Sequence, residues 1–359
     1  MNMRKPAEVI GTSSTEKVNL KVKDKEIINI LTYNSRTPLS QIAKYLKTST
    51  EVISYHYNNL KRKNIITDVF TIIDPKLLGI HRYCVYLQLH ALSQEKMKQI
   101  IQEFLKNEHI NWVIETGGKW EIIIMFETIH EEKYEEILES ILAPNRLYLN
   151  DYMIVTVKDF VQKSPRYIKN LKKEEVYSQK IRFPYAKEFS MKKEPSQLDE
   201  KDILLLKLLH EDSRLSLTEL GESLGLSKDA IDYRIKNLIS TGIIKKFIIR
   251  LNYHLLNFQY TTIMLKLASI SPYQKKEFLQ YIYRDERFYA LMDQIGTWDL
   301  SLMMFFENPK DQRNFIMELK DKFSEIIQSH ESVIHFDQYY FTHLSDGVIK
   351  ELKERVKPS

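Results

Sequence analysis

The sequence predicts an α+β protein of two tandem units, each a winged helix-turn-helix followed by a ferredoxin-like βαββαβ domain. Three observations predict it. Residues 20–127 overlay residues 198–305 without a gap, at an offset of about 178 positions. Each copy opens with apolar residues at helical spacing and continues with shorter runs at strand spacing. Capping serines and scarce glycines punctuate both copies at matching places.

The register of the repeat is set by identities spread along it. Lys23 and Asp24 match Lys201 and Asp202, and Ser35 and Arg36 match Ser213 and Arg214. Tyr55, Asn59 and Leu60 match Tyr233, Asn237 and Leu238, and far downstream Gly118 and Trp120 match Gly296 and Trp298. Chance similarity rarely holds a register so long, so a two-domain unit has been duplicated.

A chain of 359 residues exceeds one ordinary domain. Its single cysteine, Cys84, forms no intramolecular disulfide and leaves no cysteine pair for a zinc knuckle. The first residues lack a sustained apolar core, and no apolar stretch of about 18 residues occurs, so neither secretion nor a membrane is expected and the expected location is cytoplasmic. The formal charge of +5 is mild, but unevenly spread. Residues 20–75 and 159–197 are basic, whereas 198–252 are close to neutral.

Residues 1–19 read as a flexible tail, rich in Ser, Thr and Lys. The first domain, 20–75, begins with a helix marked by Ile27, Ile28, Ile30 and Leu31; its counterpart, 198–253, begins with Ile203, Leu204, Leu206 and Leu209. After a polar break, Thr37 before Pro38 and the box Ser216 with Glu219 start a second helix. Ser49 and Ser227 cap a third, whose inward residues are Val52, Ile53, Tyr57 and Leu60, or Ala230, Ile231, Ile235 and Leu238. Ile65–Asp74 and Ile243–Asn252 then read as extended wing segments.

The second domain, 76–158, alternates strand, helix, two strands around a glycine turn, helix and strand, and 254–345 repeats this with a longer second helix. Residues 159–197 form a basic linker of unusual length, suited to covering a sheet or tracking DNA, and 346–359 a C-terminal tail.

This order resembles the Lrp/AsnC (feast/famine) family of transcriptional regulators in a tandem-duplicated form. The stretch from Leu198 to Phe247 is similar to that family's DNA-binding domain throughout, including Arg234, Leu238 and Gly242-Ile243-Ile244. Asp74-Pro75 with Leu78-Gly79 resembles its interdomain junction, and Gly118-Lys119-Trp120-Glu121 and Gly296-Thr297-Trp298-Asp299 resemble its effector loop. Copy one departs from the pattern with His56 for the expected Arg and Asn64 for the expected Gly. The resemblance implies duplex DNA as partner and pairing through the ferredoxin-like domains. Such pairing can occur within this chain and recur as a homodimer or higher assembly. It also implies a candidate amino-acid effector; no cofactor or metal is expected.

For DNA binding, the candidates in copy one are Ser49, Thr50, Ser54, Tyr55 and Asn58 on the third helix, with Lys61, Arg62 and Lys63 at its end. Copy two offers Lys228, Tyr233, Arg234 and Lys236, then Lys245 and Lys246 on the wing, against the opposing charges of Asp229 and Asp232. Hydroxyls and amides on such a helix suit base edges, and cations suit phosphates. Effector candidates are Gly117, Gly118, Trp120, Gly296, Thr297, Trp298 and Asp299, because glycine turns expose backbone N–H groups to a carboxylate. The bland reading of the same residues is a solvated helix face and two tight turns.

Enzyme motifs are missing: there is no P-loop, nucleophile elbow or HExxH, and the ten histidines show no metal-ligand spacing. The rival reading is a siroheme decarboxylase-like enzyme of the same pair of folds. Residues 111–126 and 289–305, where such an enzyme carries pocket residues, contain neither histidine nor arginine. A third reading is an architectural or protein-docking factor.

Overall fold

The structure is a computed structural model that describes residues 18–163, 181–190 and 197–356. The tail read at 1–19 lies outside the described residues apart from Val18 and Asn19, as do 164–180 and 191–196 of the linker.

Copy one runs α1 (Val22–Tyr33), α2 (Leu39–Tyr45), α3 (Thr50–Arg62), β1 (Ile66–Ile73), β2 (His81–Leu89), α4 (Gln94–Lys106), β3 (Ile110–Gly117), β4 (Ile122–Thr128), α5 (Tyr134–Leu142) and β5 (Leu149–Gln162). A short helix, α6 (Ala186–Ser190), lies in the linker. Copy two runs α7 (Glu200–Glu211), α8 (Leu217–Leu224), α9 (Lys228–Ser240), β6 (Ile244–Leu251), β7 (Gln259–Leu267), α10 (Pro272–Arg284), β8 (Phe288–Ile295), β9 (Leu300–Phe306), α11 (Pro309–Phe323) and β10 (Ile327–Phe341). A terminal helix, α12 (Asp346–Val356), follows. The described residues group into two compact units, one of helix-turn-helix elements and one of ferredoxin-like elements, each drawn from both copies.

In the helix-turn-helix unit, Ile27, Ile28, Ile42, Ile53 and Leu60 of copy one, and Ile203, Leu206, Leu220, Ile231 and Leu238 of copy two, are buried. Ser49 and Ser227 cap α3 and α9, their hydroxyls accepting from Val52 N and Ala230 N at 3.3 and 3.2 Å. The strand expected as a wing is present in each copy, and its pairing partner is the equivalent strand of the other copy. β1 and β6 form an antiparallel ribbon in which Ile66 faces Leu251 and Ile73 faces Ile244. The physical reason is in the burial: every position from Val69 to Ile73 is buried, whereas a wing wet on one face requires alternation.

Reciprocal contacts fasten the two copies. Ser35 N donates to Phe247 O at 3.1 Å and Ser213 N to Val69 O at 2.9 Å, while the Ser35 and Ser213 hydroxyls meet at 2.7 Å. Arg36 Nη1 donates to the Ser213 carbonyl, and Arg214 Nη1 to the carbonyls of Ser35 and Thr37. Both guanidinium groups are half-buried, and burial holds each below its ordinary pKa.

One part of the sequence reading is corrected in this unit. The stretch expected as a C-terminal tail, 346–359, is helical over its described residues 346–356: α12 buries Val348 and Leu352, Lys207 Nζ lies 3.3 Å from Asp346 Oδ1, and Arg355 Nη1 donates to Leu78 O at 3.0 Å. Of the linker, expected to cover a sheet or track DNA, residues 181–190 dock with Ile181 and Phe183 buried. The apolar residues Ile181, Phe183, Tyr185 and Phe189 keep no single period over so short a segment, so the docking could not be read without its partner surface.

In the second unit the eight strands close into a barrel of order β10-β3-β4-β2-β5-β8-β9-β7. Each copy contributes one four-stranded antiparallel sheet, and the seams are β5 with β8 and β10 with β3. Helices α4 and α5 cover one sheet with Ile100, Ile101, Phe104, Ile137 and Ile141, and α10 and α11 cover the other with Phe278, Ile282, Phe315 and Leu319. β5 runs to Gln162, into the stretch read as linker, because its second half pairs with β8 from Thr156 onward.

The glycine turns sit where each sheet meets the last strand of the other copy. A Cβ on Gly118 (φ +129°) would lie 3.5 Å from Ser332 O; one on Gly296 (φ +144°) would lie 3.0 Å from Val155 Cγ1 and 3.2 Å from Ile154 O. Glycine therefore serves a left-handed backbone at both turns and, at Gly296, a close approach as well. Gly296→Ala is expected to destabilise the barrel by about 1–3 kcal/mol, more than Gly225→Ala, whose φ is +62° but whose Cβ would meet open space. Urea unfolding of the two variants checks the order.

Candidate nucleic-acid interface

The third helices α3 and α9 each present an outward face around a tyrosine at the equivalent position. Tyr55 is 67% exposed and its counterpart Tyr233 is 70% exposed. Thr50 and Asn58 are exposed and Ser54 half-buried beside Tyr55, while Lys228 and Lys236 are exposed beside Tyr233. Ser49 is exposed but already acts as the N-cap of α3. Val52, read as inward, is 36% exposed and joins the outer face, because the inward stripe is carried by Ile53, Tyr57 and Leu60.

The cations differ between copies. Lys61, Arg62 and Lys63 are exposed at the end of α3, with Lys61 Nζ 6.0 Å from the Tyr57 ring centroid and Arg62 Nη2 donating to Asn59 Oδ1 at 2.9 Å. In copy two, Arg234 is engaged at the start of α7: its guanidinium lies 2.7 Å from Asp202 Oδ1 and 2.7 Å from Asp199 Oδ2. Hydrogen bonding to Asp199 comes first among the causes that hold its pKa above the ordinary value. Lys236 Nζ lies 2.5 Å from Asp232 Oδ2, Lys245 Nζ lies 2.7 Å from Asp74 Oδ2, and Lys246 Nζ sits 5.8 Å from the Tyr33 ring. Lys245 and Lys246 thus belong to the ribbon between the copies.

Both departures of copy one from the family pattern find a physical account. His56 Nδ1 meets Asp24 Oδ1 at 2.7 Å, so histidine ties the third helix to the first as Arg234 does through Asp202. Asn64 has φ +54° where Gly242 has φ +82°; asparagine tolerates the left-handed region better than other non-glycine residues.

At the glycine turns, Trp120 and Trp298 are buried, Thr297 is exposed, and an added Cβ on Gly117 would meet the Phe336 ring at 2.6 Å. Asp299 Oδ2 accepts from Leu267 N at 2.8 Å, and Oδ1 lies 3.3 Å from Lys266 Nζ. Glu121 makes the equivalent bond to Leu89 N at 2.9 Å, so the acidic residue after each tryptophan clasps a strand end. The Trp120 indole N–H has no hydrogen-bond partner among the described residues.

The reading that residues 111–126 and 289–305 lack histidine and arginine covers two strands per copy, and neighbouring strands bring one of each into the buried part of the barrel unit. Arg82 is locked to Glu127, Nε to Oε2 at 2.9 Å. His335 Nε2 meets Thr262 Oγ1 at 2.8 Å, and burial drives its pKa down to about 3, which keeps the ring neutral. Among the described residues no group of three or more His, Cys, Asp or Glu is placed to hold a metal ion, and no helix is long and apolar enough to cross a membrane.

These paired helices, capped and faced in this way, define a DNA-binding helix-turn-helix protein, and comparisons agree. The model of the AsnC-type helix-turn-helix domain matches residues 198–239. An uncharacterized HTH-type transcriptional regulator of Pyrococcus furiosus is 33% identical over 122 residues, which cover 33% of this chain and 80% of that protein. The transcriptional regulator AzlB of Bacillus subtilis is 32% identical over 124 residues, 34% of this chain and 78% of that protein. The chain belongs to the Lrp/AsnC family of HTH-type transcriptional regulators. Among solved structures, the siroheme decarboxylase NirDL matches with a TM-score of 0.59 at 10% identity, covering 93% of this chain and 99% of that one. At that identity the likeness is one of fold, and it spans both copies.

The buried histidine has a measurable signature. Unfolded, its pKa is that of ordinary histidine, near 6.5; folded it is about 3. The unfolded state therefore binds the extra proton, and stability is full above pH 6.5 and declines as pH falls toward 3, by about 1.4 kcal/mol per unit from this group. His335→Gln is expected to lose that part of the pH dependence, read from urea midpoints between pH 7 and 4.

Proposed function

We propose that this regulator acts as a pseudo-dimer within one chain, presenting two unequal recognition helices to an asymmetric duplex site. The observation that carries the reading is the reciprocal fastening of the copies through β1, β6, Ser35 and Ser213, combined with outward residues that differ between α3 and α9. A symmetric dimer reads a palindrome because its two faces are identical. Here Thr50, Ser54 and Asn58 on one helix stand against Lys228, Asp232 and Lys236 on the other, so one site half meets hydroxyls and an amide, and the other meets charge.

Lys61, Arg62 and Lys63 supply phosphate contacts to the copy-one half, and the glycine turns with Trp120 and Trp298 form the candidate element for a small molecule such as an amino acid. A transcriptional regulator of Neisseria meningitidis has been solved as a complex with such a molecule, L-Met. Further pairing of chains into a homodimer or higher assembly, a domain partition near residues 75, 158, 197 and 253, and a cytoplasmic setting belong to the same reading.

Selection of genomic duplexes with the purified chain is expected to yield a non-palindromic motif; a palindromic one would count against asymmetry. Replacing Lys61, Arg62 and Lys63 together by alanine is expected to weaken binding on every sequence and to flatten the salt dependence by about 0.9 for each phosphate no longer neutralised. An unchanged slope would remove them from the interface.

The fold shared with NirDL keeps a siroheme decarboxylase-like reading as the alternative. Absorbance of the purified protein mixed with an iron tetrapyrrole decides it: the regulator reading expects no shift of the Soret band.

A further inference from the structure

The second recognition helix has few free cations. Arg234 is taken by Asp199 and Asp202 and Lys236 by Asp232, and on the strand that follows Lys245 is taken by Asp74, whereas copy one ends its helix in the exposed run Lys61, Arg62 and Lys63. A helix so neutralised, laid against phosphates, needs cations from elsewhere.

Residues 181–190 lie alongside that helix. Ile181 and Phe183 are buried, the Tyr185 and Phe189 rings lie 6.1 and 5.8 Å from the Phe247 ring, and Asn34 Nδ2 donates to Pro184 O at 2.8 Å. The segment is registered on α9 itself, since Tyr185 OH donates to Asp232 Oδ1 at 3.1 Å. Asp232, whose charge opposes DNA, is thereby held from both sides, by the tyrosine hydroxyl and by Lys236. On this anchored backbone Arg182 and Lys187 are exposed, and no hydrogen bond or ion pair joins either side chain to another described residue.

We propose that segment 181–190 is a DNA-contacting arm of the second half-site, in which Arg182 and Lys187 bind backbone phosphates beside α9. The arm rests on the duplex-DNA reading above. It makes the linker part of the interface, and it restores to the copy-two half the positive charge that its own helix commits to internal ion pairs. Docking matters because a backbone segment already anchored beside α9 has little of its own freedom left to lose on binding.

The test uses the full chain with Arg182→Ala and Lys187→Ala combined, titrated against a duplex of the selected motif, about 40 base pairs long, by fluorescence anisotropy over a range of KCl from about 50 to about 300 mM. The expected result is a slope of log affinity against log salt shallower by roughly 1.8, about 0.9 for each of two phosphates. Far-UV circular dichroism and the unfolding midpoint should be unchanged, since the anchors Ile181, Phe183 and Tyr185 are untouched. Lys276→Ala with Lys310→Ala, two exposed lysines of the ferredoxin-like elements, is the charge-matched control and should keep the wild-type slope. If wild type binds and the arm variant keeps its slope, or if the control loses as much, the arm is overturned and the DNA reading stands. Absence of wild-type binding at the lowest salt would overturn both.

Discussion

A four-stranded ferredoxin-like sheet has two open edges, each a row of unpaired N–H and C=O groups that water or another strand must satisfy. In this chain the edges β3 and β5 of one copy pair with β10 and β8 of the other, and the remaining architecture of the barrel unit follows from that pairing. β5 and β10 are long, 14 and 15 residues, because each serves two sheets: its own in one half and the partner sheet from Thr156 or Ile334 onward. The glycine turns answer the same demand. A side chain at 296 would crowd Val155 Cγ1 and Ile154 O and push the β8–β9 turn off the strand it must reach, and one at 118 would be strained by a φ of +129°.

Within so symmetric a backbone the two copies have diverged in what they bury. Arg82, Asn111 and Glu127 of copy one occupy the positions of Tyr260, Tyr289 and Phe305 in copy two. The first set is a polar knot in which Glu127 accepts from Arg82 Nε and Asn111 Nδ2 at 2.9 Å each, and from Ser345 N at 2.6 Å. The second is an aromatic cluster, with the Phe305 ring stacked on Tyr260 at 4.7 Å and tilted against Tyr289 at 5.1 Å. A buried ion pair is tolerated when further hydrogen bonds satisfy its lone pairs, as they do here, and an aromatic trio fills the same space through area and quadrupole contacts. The fold thus accepts either solution.

Much of the secondary structure was legible because it is written locally. The caps Ser49 and Ser227, the turn glycines and the apolar spacing of α1, α3, α7 and α9 act within a few residues of themselves. The third-helix faces were legible for the same reason, apart from Val52, which a one-residue shift of the stripe exposes. Less legible were features whose partner lies far along the chain. Arg234 looks like a phosphate ligand until Asp199 and Asp202 are beside it, and Lys245 looks like a wing cation until Asp74 is. Tyr185 gives no signal at all in a linker of low periodicity, yet it touches the second recognition helix.

By itself the sequence determined the duplication, the order of helices and strands in each copy, and the positions where backbone geometry demands glycine or asparagine, because repeats, periodicity and turn chemistry are properties of neighbouring residues. The tertiary structure decided which strand pairs with which, turning two expected wings into one ribbon and two open sheets into a closed barrel. It also decided which charges remain free. Strand pairing and ion pairing join residues far apart in the chain, such as Gly117 with Ile334 and Asp74 with Lys245, and a hydrogen-bonding edge or a carboxylate carries no local mark of its partner.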